Sequence, residues 1–243
     1  MKPMNTICIR SGKTRMIAHR GVSKLEAQNT ASAFVAAGNR SYFGIETDVY
    51  HTRDGQYVLI HNGSTGAYAD VDLPIEGTDY ADLRDLEIRD PFGSTRRDLR
   101  IPLLTDYIHL CERYGKIGVL ELKSNFTEEQ IAEIIDLYRQ AEALDHVIFI
   151  SFNWDNLIRV RKIRPEANVQ YLVGNPDDWD TLIDQLAEHH IDLDTATGTL
   201  TEDVITRCHE RGILVNCWTI DDPVFAEKLV RWGADFITTN ILE

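Results

Sequence analysis

The chain has no glycine-rich phosphate loop: Gly63-Ser-Thr-Gly66 is too short, and no Lys-Ser or Lys-Thr follows it. Nucleoside-triphosphate chemistry of the loop-cradled kind is therefore excluded. Cysteine is scarce and scattered. Cys8, Cys111, Cys208 and Cys217 form no C-x-x-C pair for zinc or thiol redox work. Buried thiols in a reducing, cytoplasmic setting are the expectation. No apolar run approaches the roughly 18 residues of a membrane span. The only apolar stretch within residues 1–15 is Ile7-Cys8-Ile9, too short for the core of a secretory signal. Positive charge is also in short supply, with 25 Lys and Arg against 39 Asp and Glu and a formal charge of −14. That balance excludes a nucleic-acid partner, because a basic face would need still denser acid elsewhere. A small anionic substrate remains compatible, since a local Arg, Lys and bound cation can reverse the field inside a cleft.

What is present is a regular alternation. The 243 residues are 43% hydrophobic, enough for one sizeable core. Strand-like runs occupy 16–19, 44–51, 57–61, 117–123, 146–152, 169–173, 191–195, 213–218 and 236–239. Helix-like runs occupy 30–39, 104–114, 128–143, 154–163, 179–189, 202–211 and 223–232. Asn29 or Thr30, Thr127, Asn153, Asp177, Thr201 and Asp221 stand where helix caps belong. If 44–51 and 57–61 form one bent strand or hairpin, eight strands remain. The expectation is a (β/α)8 TIM barrel, ahead of an open doubly wound sheet. Residues 62–100 break the rhythm and read as a small insertion with two short helical patches at most. Residues 1–243 read as one catalytic domain. After the last strand there is no room for a full C-terminal helix, which leaves an apolar flank for the N-terminal segment or a partner subunit in a homo-oligomer to cover.

Barrel active sites lie at the C-terminal ends of the strands, and the chemistry-bearing residues gather there. His19 ends Met-Ile-Ala-His and is followed by Arg20 and Gly21. Glu46 and Asp48 are spaced i, i+2, as are Glu121 and Lys123, which on a strand puts both side chains on one face. Carboxylates on the inner face of a barrel are costly unless paired or liganded. A salt bridge to Arg or Lys is the bland alternative. Three converging carboxylates suit Mg2+ or Ca2+, which prefer oxygen ligands. His61 ends the next apolar run. Two histidines to move protons, three carboxylates for a hard cation, and Arg20 and Lys123 for an anion point to a metal-dependent phosphodiester hydrolase. Trp218 ends the seventh barrel strand, where an aromatic either floors a substrate pocket or packs the core. His189-His190 reads as a surface pair at a helix end, and His51, His109, His146 and His209 have no informative spacing.

The runs Ala18-His-Arg-Gly21, Asn29-Thr30, Ile45-Glu-Thr-Asp-Val49, Thr52-Arg-Asp-Gly55, His61, Ile101-Pro-Leu-Leu104, Glu121-Leu-Lys123 and Trp218-Thr-Ile220 together resemble the glycerophosphodiester phosphodiesterase family. The resemblance runs from about residue 15 to 240. It implies a (β/α)8 barrel with an insertion after the second histidine, and hydrolysis of glycerophosphodiesters to sn-glycerol 3-phosphate and an alcohol. It implies one divalent cation, Mg2+ or Ca2+, on Glu46, Asp48 and Glu121. It assigns His19 and His61 to acid–base catalysis and Arg20 and Lys123 to phosphate.

Three positions depart from the family pattern by replacing an acid with its amide: Gln28, Asn62 and Asn240. The insertion also has Gly63-Ser-Thr-Gly-Ala-Tyr68 where the family has an Arg-Thr run. Related barrel enzymes resembling sphingomyelinase D or phosphatidylinositol-specific phospholipase C are the nearest enzymatic alternative, although this insertion is mainly polar. A binding-only relative is the alternative that the three amides raise. A glycosidase would leave both histidines, Asp48 and Lys123 without a role.

Overall fold

The computed structural model describes residues 5–243. In chain order the elements are β1 (Arg15–Ala18), α1 (Ala31–Gly38), β2 (Gly44–His51), β3 (Tyr57–Leu59), α2 (Tyr80–Arg84), α3 (Leu104–Tyr114), β4 (Ile117–Leu122) and α4 (Glu128–Gln140). They continue as β5 (Val147–Ser151), α5 (Trp154–Ile163), β6 (Asn168–Val173), α6 (Trp179–His189), β7 (Asp192–Ala196), α7 (Glu202–Glu210), β8 (Val215–Trp218), α8 (Pro223–Trp232) and β9 (Phe236–Thr239). Among the described residues eight parallel strands close into a ring, β1 pairing with both β2 and β9. β3 stays outside the ring as an antiparallel hairpin partner of β2, with Val49 opposite Leu59. The barrel expected from the alternation is therefore the fold that forms.

Caps set the helix starts, and two lie one residue later than the sequence suggested. Asp178, not Asp177, accepts from the Asp180 and Thr181 amides at the start of α6. Asp222, not Asp221, caps α8, because Pro223 takes the first helical position and the cap must directly precede it. Thr30, Thr127, Asn153 and Thr201 cap as expected. The Tyr107 hydroxyl ties α3 to the barrel, donating to Ile45 O (2.5 Å) and accepting from Val119 N (3.0 Å). Of the four cysteines, Cys111, Cys208 and Cys217 are buried as expected, whereas Cys8 is exposed.

The barrel interior is two-sided. Ile17, Val119, Ile148, Ile150, Leu172 and Phe236 form an apolar cluster. On the β6–β9 side Asn216 donates to Gln170 (3.2 Å) and accepts from Thr238 (3.1 Å), all three buried. At the N-terminal end, the Arg15 guanidinium lies 3.8 Å from the Phe236 ring centroid. Between ring and helices runs the main core, which includes Phe34, Tyr107, Leu120, Phe149, Leu193 and Leu229. The insertion has its own apolar cluster, in which Ile75, Leu83, Ile88 and Leu99 pack against Val58, Ile60 and Ala27. Among the described residues no helix follows β9. Instead Ile7 and Ile9 pair with residues 241–243, and Ile241 and Leu242 are buried beneath them. No helix among the described residues is long and apolar enough to cross a membrane.

Asp192, at the N-terminal end of β7, accepts from Leu214 N (2.8 Å). Burial pushes its carboxyl up to about 6 even though that amide favours the charged form. The folded value exceeds the unfolded one of about 3.9, so the native state loses relative stability as pH rises from about 4 to 6. Asp192→Asn keeps the acceptor and removes the charge. Thermal melts should show the variant more stable by about 1–2 kcal/mol at pH 8 and nearly unchanged at pH 4. Equal gains at both pH values would exclude charge burial as the cause.

Candidate active site

Every residue that the strand-end argument selected lies at one end of the barrel. His19 directly follows β1, its amide continuing the ladder to Thr239 O (2.8 Å). The chain then turns sharply. Arg20 and Gly21 both adopt positive φ, and a Cβ on Gly21 would lie 2.6 Å from the Ala33 backbone, so only glycine fits the approach to α1. Asp48 on β2 and Glu121 on β4 are register partners. Lys123 stands one residue beyond β4, its amide bound to Val49 O (3.2 Å). The hairpin carries His61 back over the barrel: Ile60 N donates to Asp48 O (3.1 Å), and His61 comes next.

The three carboxylates converge, with one oxygen of each of Glu46, Asp48 and Glu121 within 4.8 Å of the others. All three are buried. Arg20 Nε lies 3.3 Å from Asp48 Oδ2, and Lys123 Nζ lies 3.0 Å from Glu121 and 3.6 Å from Asp48. Although burial works against it, Arg20 and Lys123 hold the Asp48 carboxyl below its ordinary value. Burial and the neighbouring Asp48 charge push Glu46 well above its ordinary value and Glu121 up to about 8. Arg20 thus serves Asp48, while Lys123 is shared between Glu121 and Asp48. Asn29, read from the sequence as a cap candidate and as part of the Asn29-Thr30 run of the family resemblance, is also a site residue. Its Nδ2 donates to Asp48 Oδ2 (2.8 Å) and its Oδ1 accepts from Thr47 (2.7 Å), which orients the central carboxylate.

Gln28, Asn62 and Asn240 each touch one of the selected residues. Gln28 Oε1 accepts from Arg20 (2.6 Å), Asn62 Oδ1 lies 2.8 Å from His61 Nδ1, and Asn240 Oδ1 lies 2.8 Å from His19 Nδ1. The last contact settles a tautomer. Asn240 Nδ2 donates to Asp221 Oδ2 (2.8 Å), and the Asn240 backbone amide donates to Asp221 Oδ1 (2.8 Å). A carboxylate only accepts, so the Asn240 oxygen must face His19, and His19 Nδ1 carries the proton. Its Nε2 is left with a lone pair, 3.9 Å from Glu46. Burial, then the Arg20 charge, lowers the His19 imidazole to about 4, and burial lowers His61 as well.

A cavity of about 90 Å³ is lined by His19, Arg20, Glu46, His61, Glu121 and Trp218, with Ile150, Phe152 and Leu172 as apolar wall. Trp218 thus faces the cavity, with Phe152 edge-on at 5.7 Å. His146 and His209 are remote, paired with Glu112 and Asp235 at 2.8 Å. Asp194 also lines the cavity, although its sequence context singled out nothing. The donor set fits a hard divalent cation: three oxygens converge, and buried Asp48 Oδ1 has no hydrogen-bond partner among the described residues. Mg2+ or Ca2+ at a hundredfold excess over its dissociation constant should stabilise the fold by about 2.7 kcal/mol. Glu121→Gln should abolish most of that shift in a thermal melt; an unchanged shift would place the cation elsewhere.

Comparisons with known proteins agree with this geometry. The chain is 28% identical over 235 residues to a glycerophosphodiester phosphodiesterase of Caldanaerobacter subterraneus subsp. tengcongensis, covering 94% of each. Among solved structures, it is similar to an Oleispira antarctica phosphodiesterase in complex with the product sn-glycerol 3-phosphate, at 27% identity and a TM-score of 0.83, covering 93% of this chain and 92% of that one. It is also similar to a glycerophosphodiester phosphodiesterase from Parabacteroides distasonis, at 27% identity and a TM-score of 0.78, covering 94% of this chain and 93% of that one. The family model described as glycerophosphoryl diester phosphodiesterase matches residues 19–243, from the first site histidine onward, and the chain belongs to that family.

Proposed function

We propose that the chain hydrolyses glycerophosphodiesters to sn-glycerol 3-phosphate and an alcohol, with His19 and His61 as the acid–base pair. The observation that carries this reading is that both histidines face one cavity with Arg20, Glu46 and Glu121, the last two converging with Asp48 within 4.8 Å. A divalent cation held by Glu46, Asp48 and Glu121 supplies charge neutralisation at the phosphate when bound. Lys123 and Arg20 add fixed positive charge there, which favours an anionic group over a neutral ester. Trp218 contributes apolar wall to the substrate pocket.

His19 suits the base. Its Nδ1 proton is held by Asn240 and its Nε2 lone pair is free, so it can take a proton from water or from the glycerol 2-hydroxyl. His61 then protonates the leaving alcohol, a step typically worth about 10²–10⁴-fold. We place the protein in the cytoplasm, a reading that its free cysteines support.

Release of sn-glycerol 3-phosphate from glycerophosphocholine, glycerophosphoethanolamine and glycerophosphoglycerol should require a divalent cation and stop with EDTA. His19→Ala and His61→Ala should each lower kcat by at least about 10²-fold. Cation-independent release, or none from any of the three diesters, would overturn the assignment. Asn62→Asp should raise the pKa of His61 through an adjacent negative charge. If His61 is the acid, the basic limb of the pH–rate profile moves to higher pH; a move of the acidic limb instead would make it the base.

A further inference from the structure

One acid in the cavity has no part in the reaction as described. Asp194, on the inner face of β7, is 1% exposed and shares the cavity with His19, Glu46 and Glu121. Its Oδ1 has no hydrogen-bond partner among the described residues. Its register partner Asn216 offers no relief, being bound to Gln170 and Thr238. The Trp218 indole N–H, on the adjacent strand, is likewise buried without a partner and borders the same cavity. Native interiors rarely leave a buried acceptor and a buried donor open on one cavity, because each unmade bond is costly.

We infer that Asp194 and Trp218 form a hydroxyl-reading subsite that selects the glycerol half of the substrate, an assignment that rests on the phosphodiesterase reading above. A hydroxyl is the group that donates and accepts at once. An ammonium group would satisfy Asp194 but meet the indole N–H with another donor. A phosphate oxygen would satisfy the indole but only accept. Burial, then the nearby Glu121 charge, pushes the Asp194 carboxyl well above its usual range. The cavity, at about 90 Å³, has the room of about three waters, the size class of a three-carbon polyol. Asp194 lies at its closed end, whereas Phe152, 49% exposed, lies toward solvent. The product half of the diester therefore occupies the closed end, and the leaving alcohol the open one.

Isothermal titration of the cation-loaded protein with sn-glycerol 3-phosphate and with propyl phosphate, which lacks both hydroxyls, tests this directly. The wild type should prefer the glycerol ester by at least about 10–100-fold, the penalty for leaving one buried polar group unpaired. Asp194→Leu, similar in size and apolar, should reduce that preference to within about threefold. Trp218→Phe keeps an aromatic ring without the N–H and should also narrow it, so the test survives if the Leu variant fails to fold. A preference that is absent in the wild type, or retained in the folded variants, would overturn the subsite. So would variants that alter only the ranking of leaving alcohols in turnover assays. A wild type that binds selectively but hydrolyses no diester would refute the hydrolase reading and leave the subsite standing. Hydrolysis without selectivity would do the reverse.

Discussion

Mutual repulsion among Glu46, Asp48 and Glu121 is the constraint to which the rest of the barrel mouth responds. Strand pairing forces it, because Asp48 and Glu121 face one another across β2 and β4 and Glu46 lies one inward position below. Water cannot screen buried charges, so protein groups must. Arg20, Lys123 and Asn29 converge on Asp48, and the residual strain falls on Glu46 and Glu121, whose carboxyls are driven toward protonation. Such a cluster is one that could hold a metal ion, which would offset the repulsion. The same crowding explains the turn at Arg20: a positive φ lets its backbone amide reach Glu46 (2.8 Å) while its side chain reaches Asp48.

The pairs at i, i+2 were legible in the sequence because a strand turns that spacing into a shared face, and a barrel turns a shared face into a shared cavity. Glu46, Asp48, Glu121 and Lys123 followed from that rule alone, and His19 from its place at the end of a strand. His61 was legible from its place at the end of the next apolar run, and it reaches the site because 57–59 pairs antiparallel with β2. Asn29, Asp194 and Asp221 stayed hidden for a common reason. Their partners are far off in sequence, Asp48 for Asn29 and Asn240 for Asp221, or absent altogether, and no local pattern encodes such meetings. Asp221 looked like a helix cap, and Pro223 moved that task to its neighbour.

The acid-to-amide changes differ in kind once their surroundings are known. At Asn240 the charge is displaced rather than lost. Asp221 holds the amide from behind, Lys24 lies 3.0 Å from that carboxylate, and Ser23 adds a second donor to the Asn240 oxygen (2.6 Å). His19 is therefore oriented by a neutral group that is itself anchored by a charged one. Asn62 has no comparable anchor. It is exposed, and its contact with His61 is a neighbour-to-neighbour bond. The two histidines thus differ in how firmly their rings are set, which matches the proposal that one begins the reaction and the other answers the leaving group.

His19 belongs to the closed ring, braced by β9 and the main core, whereas His61 rides on a hairpin arm whose underside is packed by the insertion's own apolar cluster. The two histidines proposed to move protons consequently rest on separate foundations. Drift in the sequence of the insertion can tilt the arm and reshape the exit side of the cavity while the ring that carries the acidic triad is left intact. Such a layout lets selection retune which alcohols depart without reopening the problem of holding three acids together.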